Sequence, residues 1–136
     1  NTNQIVAGAS MGGLMSMKTS ILFPQFRNII SLSPAFWFGY PSVLHDIKNL
    51  SNESSTYLYT GKKEGHIFGD HVKNIFPNNW DLDFSNNDDF YYSGVKNIKD
   101  SFDSNNKKVI FSFQDNGRHN ETSWATAILE ILGKLI

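Results

Sequence analysis

Cysteine is missing from all 136 positions, which excludes disulfides and thiolate metal sites without fixing a compartment. Arginine is scarce, two against ten lysines, and asparagine is abundant; that pattern reads as genome base composition, not as function. Charge nearly cancels, at −1, so neither nucleic acid nor an anionic membrane is an expected partner. Long apolar runs are absent as well: none approaches the ~20 residues that a membrane span requires. The N-terminus, Asn1-Thr2-Asn3-Gln4, has neither a basic leader nor an initiator methionine. A processed or truncated chain is therefore expected, and the lack of leader and cysteine tilts the expected compartment toward the cytoplasm. What is present is a chain 40% hydrophobic and 14% aromatic, enough for one core and too little for two. A single domain over residues 1–136, incomplete and without internal repeats or linkers, is the expectation.

The richest segment is Gly8-Ala9-Ser10-Met11-Gly12, preceded by the apolar Ile5-Val6-Ala7 and followed by the helix-like Gly13-Leu14-Met15-Ser16-Met17. A G-x-S-x-G between strand and helix is the pattern of a nucleophile elbow. The serine there sits on a strained turn with its hydroxyl exposed, and side chains two residues either side are expected to collide with that turn. Met11 matters in this reading for its backbone N–H, which would face an oxyanion.

Gln4 to Ala9 reads as a buried strand, and Met11 to Phe23 as a helix that Pro24 stops. Asn28 to Leu32 is a second short apolar run, of the kind that fits a parallel strand covered on both faces. Pro41 to Leu50 reads as a short helix, and Thr56 to Thr60 as a third strand ending in Gly61-Lys62-Lys63-Glu64-Gly65. Phe76 to Phe90, rich in Asn and Asp, reads as a long surface loop. Tyr91, Val95, Ile98 and Phe102 then share a helix face. Lys107 to Gln114 alternates as a fourth strand, and Thr122 to Ile136 closes the chain as a helix. Strands alternating with helices predict an α/β fold with a mostly parallel sheet and flanking helices. Ligands on such a sheet sit at the carboxyl ends of the strands, where Ser10, Ser33, Gly61 to Gly65 and Asp115 to His119 all fall.

A serine hydroxyl needs a base to take its proton, usually a histidine oriented by a carboxylate. His119, between the last strand and the last helix, is the strongest of four histidines. His45 reads as a surface residue on a helix; His66 and His71 flank the acid loop and read as structural or substrate-facing. Glu64, directly after the third strand, is the best-placed acid, with Asp70 the runner-up on the same excursion. Asp88 and Asp89 look remote from any strand end, and Asp115 stands too near His119.

Four segments in order carry a resemblance. Val6-Ala7-Gly8-Ala9-Ser10-Met11-Gly12-Gly13 resembles the elbow of the esterase D-like family of α/β-hydrolases, whose members include enterochelin esterases, feruloyl esterases and mycolyltransferases. Ser31-Leu32-Ser33-Pro34-Ala35-Phe36-Trp37 is similar to its S-P-aromatic segment. Tyr57-Leu58-Tyr59-Thr60-Gly61-Lys62-Lys63-Glu64 is similar to its strand ending in G-x-x-E, which implies Glu64 as the acid. Gly117-Arg118-His119 followed by Trp124 resembles its G-x-H-x-x-x-x-W signature, which implies His119 as the base. The resemblance implies a serine esterase that acts on a small-molecule ester through an acyl-enzyme, with Ser10, Glu64 and His119 as its triad and the Met11 amide in the oxyanion hole. It implies no cofactor.

The chain departs from the family in starting at the nucleophile strand. The resemblance thus implies a partial α/β-hydrolase fold without its N-terminal strands. A missing portion would supply the other oxyanion amide, whose loss typically costs ~100–1000-fold in rate. The first strand would also expose an edge, which either that missing half or a second copy of the chain would cover. Phe36, Trp37 and Trp124 are the expected substrate-side residues, although a packed aromatic core explains Phe36, Trp37, Phe38 and Tyr40 equally well. Trp80, Phe84, Phe90, Tyr91 and Tyr92 read as a loop pinned by aromatics or as a lid. The acidic group Asp81, Asp83, Asp88 and Asp89 has no ligand spacing, so no metal is expected. Two other readings share these residues: a non-catalytic fragment or degenerate homologue, and an acyltransferase using the same triad.

Overall fold

A computed structural model describes residues 4–76, 78 and 81–135. Four strands, β1 (Gln4–Ala9), β2 (Phe26–Leu32), β3 (Ser55–Gly61) and β4 (Lys108–Gln114), form one parallel sheet in the order β1-β2-β3-β4. The register sets Ala9 beside Leu32, Leu32 beside Tyr59, and Gly61 beside Gln114. All four strand ends therefore open on one edge.

The connections are helical, as parallel pairing requires. They are α1 (Met11–Leu22), α2 (Ser42–Asp46), α3 (Val72–Ile75), α4 (Asn87–Ser104) and α5 (Glu121–Leu135), with 3₁₀ turns at Phe36–Phe38, Ile47–Asn49 and Gly65–Ile67. The apolar runs explain the layering. Ile29 and Ile30 in β2, and Leu58 and Tyr59 in β3, point to opposite faces, and all four are buried. Ile29 and Leu58 join the larger core with Leu14, Met17, Val95, Ile98 and Phe102. Ile30 and Tyr59 join a smaller core under α5 with Ala127 and Ile131.

The helix face of Tyr91, Val95, Ile98 and Phe102 is fully buried, as its spacing predicts. The segment from 76 to 90, however, is not a continuous loop. It contains the start of α4, because its Asn and Asp residues are helix-start residues: Asn86 accepts the N–H of Asp89, and Asp88 and Asp89 occupy the first turn, where the helix dipole favours carboxylates. Its Pro77 and Trp80 lie outside the described residues, as do Asn1 to Asn3 and Ile136. The helix expected over Pro41 to Leu50 breaks into α2 and a 3₁₀ turn, with Val43, Ile47 and Leu50 buried.

Among the described residues β1 and β4 are both edge strands, with Ile5 41% and Phe113 46% exposed. Gln4 to Ala9 is therefore not the buried strand its apolar run suggests: none of its residues is buried, because it has a neighbour on one side alone. No described helix is long and apolar enough to cross a membrane.

Candidate active site

The Ser10 turn is strained by construction. Ser10 has φ 59° and ψ −121°, a region that costs a non-glycine residue on the order of 1–3 kcal/mol. Several backbone bonds hold it there. Its N–H donates to the Leu32 carbonyl at 2.9 Å, and its own carbonyl accepts from Gly13, Leu14 and Ala35 at 3.0, 3.2 and 3.0 Å. A Cβ on Gly8 would run into the Gly12 carbonyl, so the first glycine of the motif is required by close approach. The second is not: a Cβ on Gly12 meets open space, which corrects the expectation that both flanking positions are crowded.

The His119 loop is fastened to the end of β3. Gly61 and Gly117 approach so closely that a Cβ on either would strike the other's backbone. Lys63 N–H donates to the Gly117 carbonyl at 2.9 Å, and Lys62 N–H to the Gln114 carbonyl at 3.0 Å. The His119 N–H donates to Nε2 of His66 at 3.1 Å, and its ring lies edge-on to Trp124 at 4.8 Å and beside Tyr91 at 5.4 Å.

These anchors produce one hydrogen-bonded line. Nε2 of His119 is 3.0 Å from Oγ of Ser10, and Nδ1 is 2.7 Å from Oε1 of Glu64. An ionised carboxylate accepts only, so Nδ1 carries the ring proton and Nε2 presents its lone pair to the serine. The Glu64 side chain is 0% exposed and that of His119 is 11% exposed, so this pair works with little water around it. The other carboxylate oxygen, Oε2, accepts from the Gly61 N–H at 2.6 Å and from Oγ of Ser33 at 2.6 Å, with Thr60 Oγ1 at 3.2 Å. An array of donors of this kind is what keeps a buried carboxylate charged.

Neighbouring groups respond to that charge. Burial first, and then the Glu64 carboxylate, pushes the Tyr91 phenol well above its usual range, and Tyr59 rises for the same reasons. His66 is pushed down, by lost hydration and then by the Arg118 and His119 charges. Met11 opens α1, whose first N–H groups have no acceptor within the helix. Its amide is thus a donor without an intrahelical acceptor, one residue after Ser10.

Of the other candidate residues, Asp70 does not reach the histidine: it accepts from the His71 N–H at 2.7 Å and from the Asn74 amide. Asp115 pairs with Lys62 at 3.6 Å. Asp88 is closer to the site than its sequence position suggests, since it accepts the Gly65 N–H at 2.8 Å, one residue after the acid. His45 is exposed on α2, and His71 caps α3.

Phe36 is corrected outright. It is 0% exposed, enclosed by Trp37, Phe90 and Tyr91, and a ring sealed in the core cannot contact a substrate. Trp37 is partly buried, packed on Phe68 at 5.1 Å and on Tyr91 at 5.2 Å. Trp124 turns its indole N–H inward, to Oγ of Ser33 at 3.0 Å. Its ring also helps wall an open apolar depression of ≈ 280 Å³ with Ala7, Ala9, Leu32 and Ile128. A second depression, ≈ 350 Å³, lies on the other side of the His119 loop between His66, Asp88 and Arg118. A further depression, ≈ 620 Å³, lies between α2 and the end of α4, and none of these groups lines it. Among the described residues no three His, Asp or Glu side chains converge as metal ligands.

The links through Ser33, His66 and Asp88 are absent from the sequence reading. A serine followed by proline directly after a strand was the available signal for the first. The other two depend on loops that meet only in space.

No family model matches this chain, and no curated protein matches it in sequence. Solved structures do. A ferulic acid esterase superposes with TM-score 0.63 at 12% identity, over 93% of this chain and 47% of its own. The siderophore hydrolase EstA from Aspergillus nidulans gives 0.60 at 15% identity, over 96% and 48%. The acylaminoacyl peptidase of Pyrococcus horikoshii gives 0.57 at 14%, over 88% and 20%. The chain spans about half the length of the first two enzymes, and what it shares with all three is the fold: a parallel sheet flanked by helices, in the manner of the α/β-hydrolases.

Proposed function

We propose that this chain carries the reacting groups of a serine hydrolase that cleaves carboxylic esters through an acyl-enzyme. The observation that carries the reading is the line from Ser10 Oγ through His119 to Glu64, at 3.0 and 2.7 Å. Ser10 Oγ attacks the ester carbonyl while His119 Nε2 takes its proton. Glu64 Oε1 holds the Nδ1 proton and balances the imidazolium that forms. The Met11 N–H donates to the oxyanion. His119 Nε2 then protonates the departing alkoxide, leaving an acyl group on Ser10. Water, deprotonated by the same nitrogen, releases the acid and restores the serine.

A segment outside these residues completes the site in this reading. Ile5, Met11 and Met15 are 41%, 40% and 51% exposed on and beside the edge strand β1, an apolar margin with no strand against it among the described residues. A preceding half of the fold, or a second copy, would cover that margin, and the former would add the second oxyanion amide. Trp37 and Trp124 stand on the substrate side.

A fluorophosphonate probe tests the reading. Stoichiometric labelling of Ser10, abolished in S10A, is expected; labelling that survives in S10A, or none in the covered enzyme, overturns it. Whether the acyl group of a nitrophenyl ester ends on water, as the free acid, or on an added sugar alcohol, as its ester, separates hydrolysis from acyl transfer.

A further inference from the structure

We propose that Ser33 is the positioning residue of the acid, its hydroxyl donating to Oε2 of Glu64 so that Oε1 stays aimed at His119. This builds on the hydrolase reading of the Ser10–His119–Glu64 line.

Three features support it. The first is the direction of the hydrogen bond. An indole N–H is a donor only and an ionised carboxylate an acceptor only. Ser33 Oγ lies between them, 3.0 Å from Trp124 Nε1 and 2.6 Å from Glu64 Oε2. Its one proton therefore points at the carboxylate. Ser33 is 0% exposed, so water does not compete.

The second is the backbone. Ser33 sits at φ 45°, where glycine is relaxed and serine is not. It is pinned there by its N–H to the Tyr59 carbonyl at 2.7 Å and by the Tyr91 hydroxyl, which donates to its own carbonyl at 2.6 Å. Glycine would satisfy every one of those backbone bonds. What glycine lacks is the hydroxyl.

The third is the division of labour within Glu64. Oε1 is left to His119, while the Gly61 N–H and the Ser33 hydroxyl hold Oε2 from two different strand ends. The Thr60 hydroxyl is a weaker contributor at 3.2 Å, because its proton also has the Gly61 carbonyl at 3.0 Å. A carboxylate fastened at one oxygen from β2 and β3 cannot rotate away from the imidazole.

The test reads the Nδ1–H proton of His119 by NMR in the complete chain and its variants. That low-field resonance exists because Oε1 is held at hydrogen-bond distance from Nδ1. With the Ser33 anchor at Oε2 gone, in both S33G and S33A it moves upfield and exchanges with water about tenfold faster. S33G removes the hydroxyl with the strain relieved and S33A with the strain kept; a common shift therefore reports the hydroxyl. W124F frees the hydroxyl to rotate and gives a smaller shift in the same direction, and it stands in if either Ser33 variant fails to fold. An unchanged resonance position and exchange rate in folded S33G overturn the role of Ser33 and leave the hydrolase reading standing. Loss of Ser10 labelling in the wild-type enzyme, with the Ser33 shift intact, sinks the hydrolase reading alone.

Discussion

Two serines follow adjacent parallel strands, Ser10 after β1 and Ser33 after β2, and both have positive φ, 59° and 45°. Their hydroxyls both donate, but to different ends. Ser10 is partly exposed and donates to a histidine nitrogen that can take its proton; Ser33 is sealed and donates to a carboxylate that it holds in place. Backbone strain at a strand end is thus compatible with an accessible hydroxyl in one case and a sealed one in the other. The depth of the turn decides which, because only the outer hydroxyl is open to solvent. In each case neighbouring backbone bonds hold a conformation that the residue alone would not choose.

The comparison breaks most visibly at Ser10. S10A is expected to lower ester turnover by roughly 10⁴-fold or more and to abolish fluorophosphonate labelling, with circular dichroism unchanged. E64Q comes next, at about 10³–10⁴-fold in kcat, because a glutamine N–H facing Nδ1 favours the wrong imidazole tautomer. D70N is its control and leaves turnover unchanged; a large loss in D70N with little in E64Q would exchange the two roles.

Stability separates the turns further. G8A drives a methyl into the Gly12 carbonyl and is expected to destabilise the fold by about 3 kcal/mol or more, whereas G12A, facing open space, stays within about 1 kcal/mol by chemical denaturation. S33A leaves the Trp124 N–H and one carboxylate oxygen short of a partner and costs about 1–3 kcal/mol. S33G is expected to cost less than S33A, since it releases the positive-φ strain. Equal losses in the two would remove strain from the comparison.

The smallest effect concerns pH. His66 has a folded-state pKa below its unfolded value, so the native state binds fewer protons in that window. The resulting stability is present above about pH 6.5 and is lost as pH falls through the lower folded value. Tm between pH 7 and pH 5 should therefore fall further in the wild type than in H66N. A protonated His66 also no longer accepts the His119 N–H.

Most of the scaffold was legible in the residues. Short apolar runs marked the inner strands β2 and β3 because a sheet covered on both faces buries their ends, whereas β1, read as buried, is an edge strand with no buried residue; the repeat from Tyr91 to Phe102 marked α4 because one stripe of it faces the core. The start of α4 was misread because Asn and Asp serve loops and helix starts alike, and only the hydrogen bond from Asp89 to Asn86 tells them apart. Ser10, Glu64 and His119 could be nominated because each follows a strand, and parallel strands end together. Phe36 could not be judged, since an aromatic run reads the same whether it lines a cleft or fills a core.

Chemistry-bearing residue types, their order along the chain and the parallel sheet that gathers them were determined by the sequence alone, through local periodicity and the position of each residue after its strand. Tertiary structure alone decided which serine faces outward, which oxygen of Glu64 meets the imidazole, and that Trp124 and Ser33 brace that carboxylate. Those choices depend on contacts between residues 31 to 109 positions apart, where loop approach and burial, not neighbouring sequence, set the geometry.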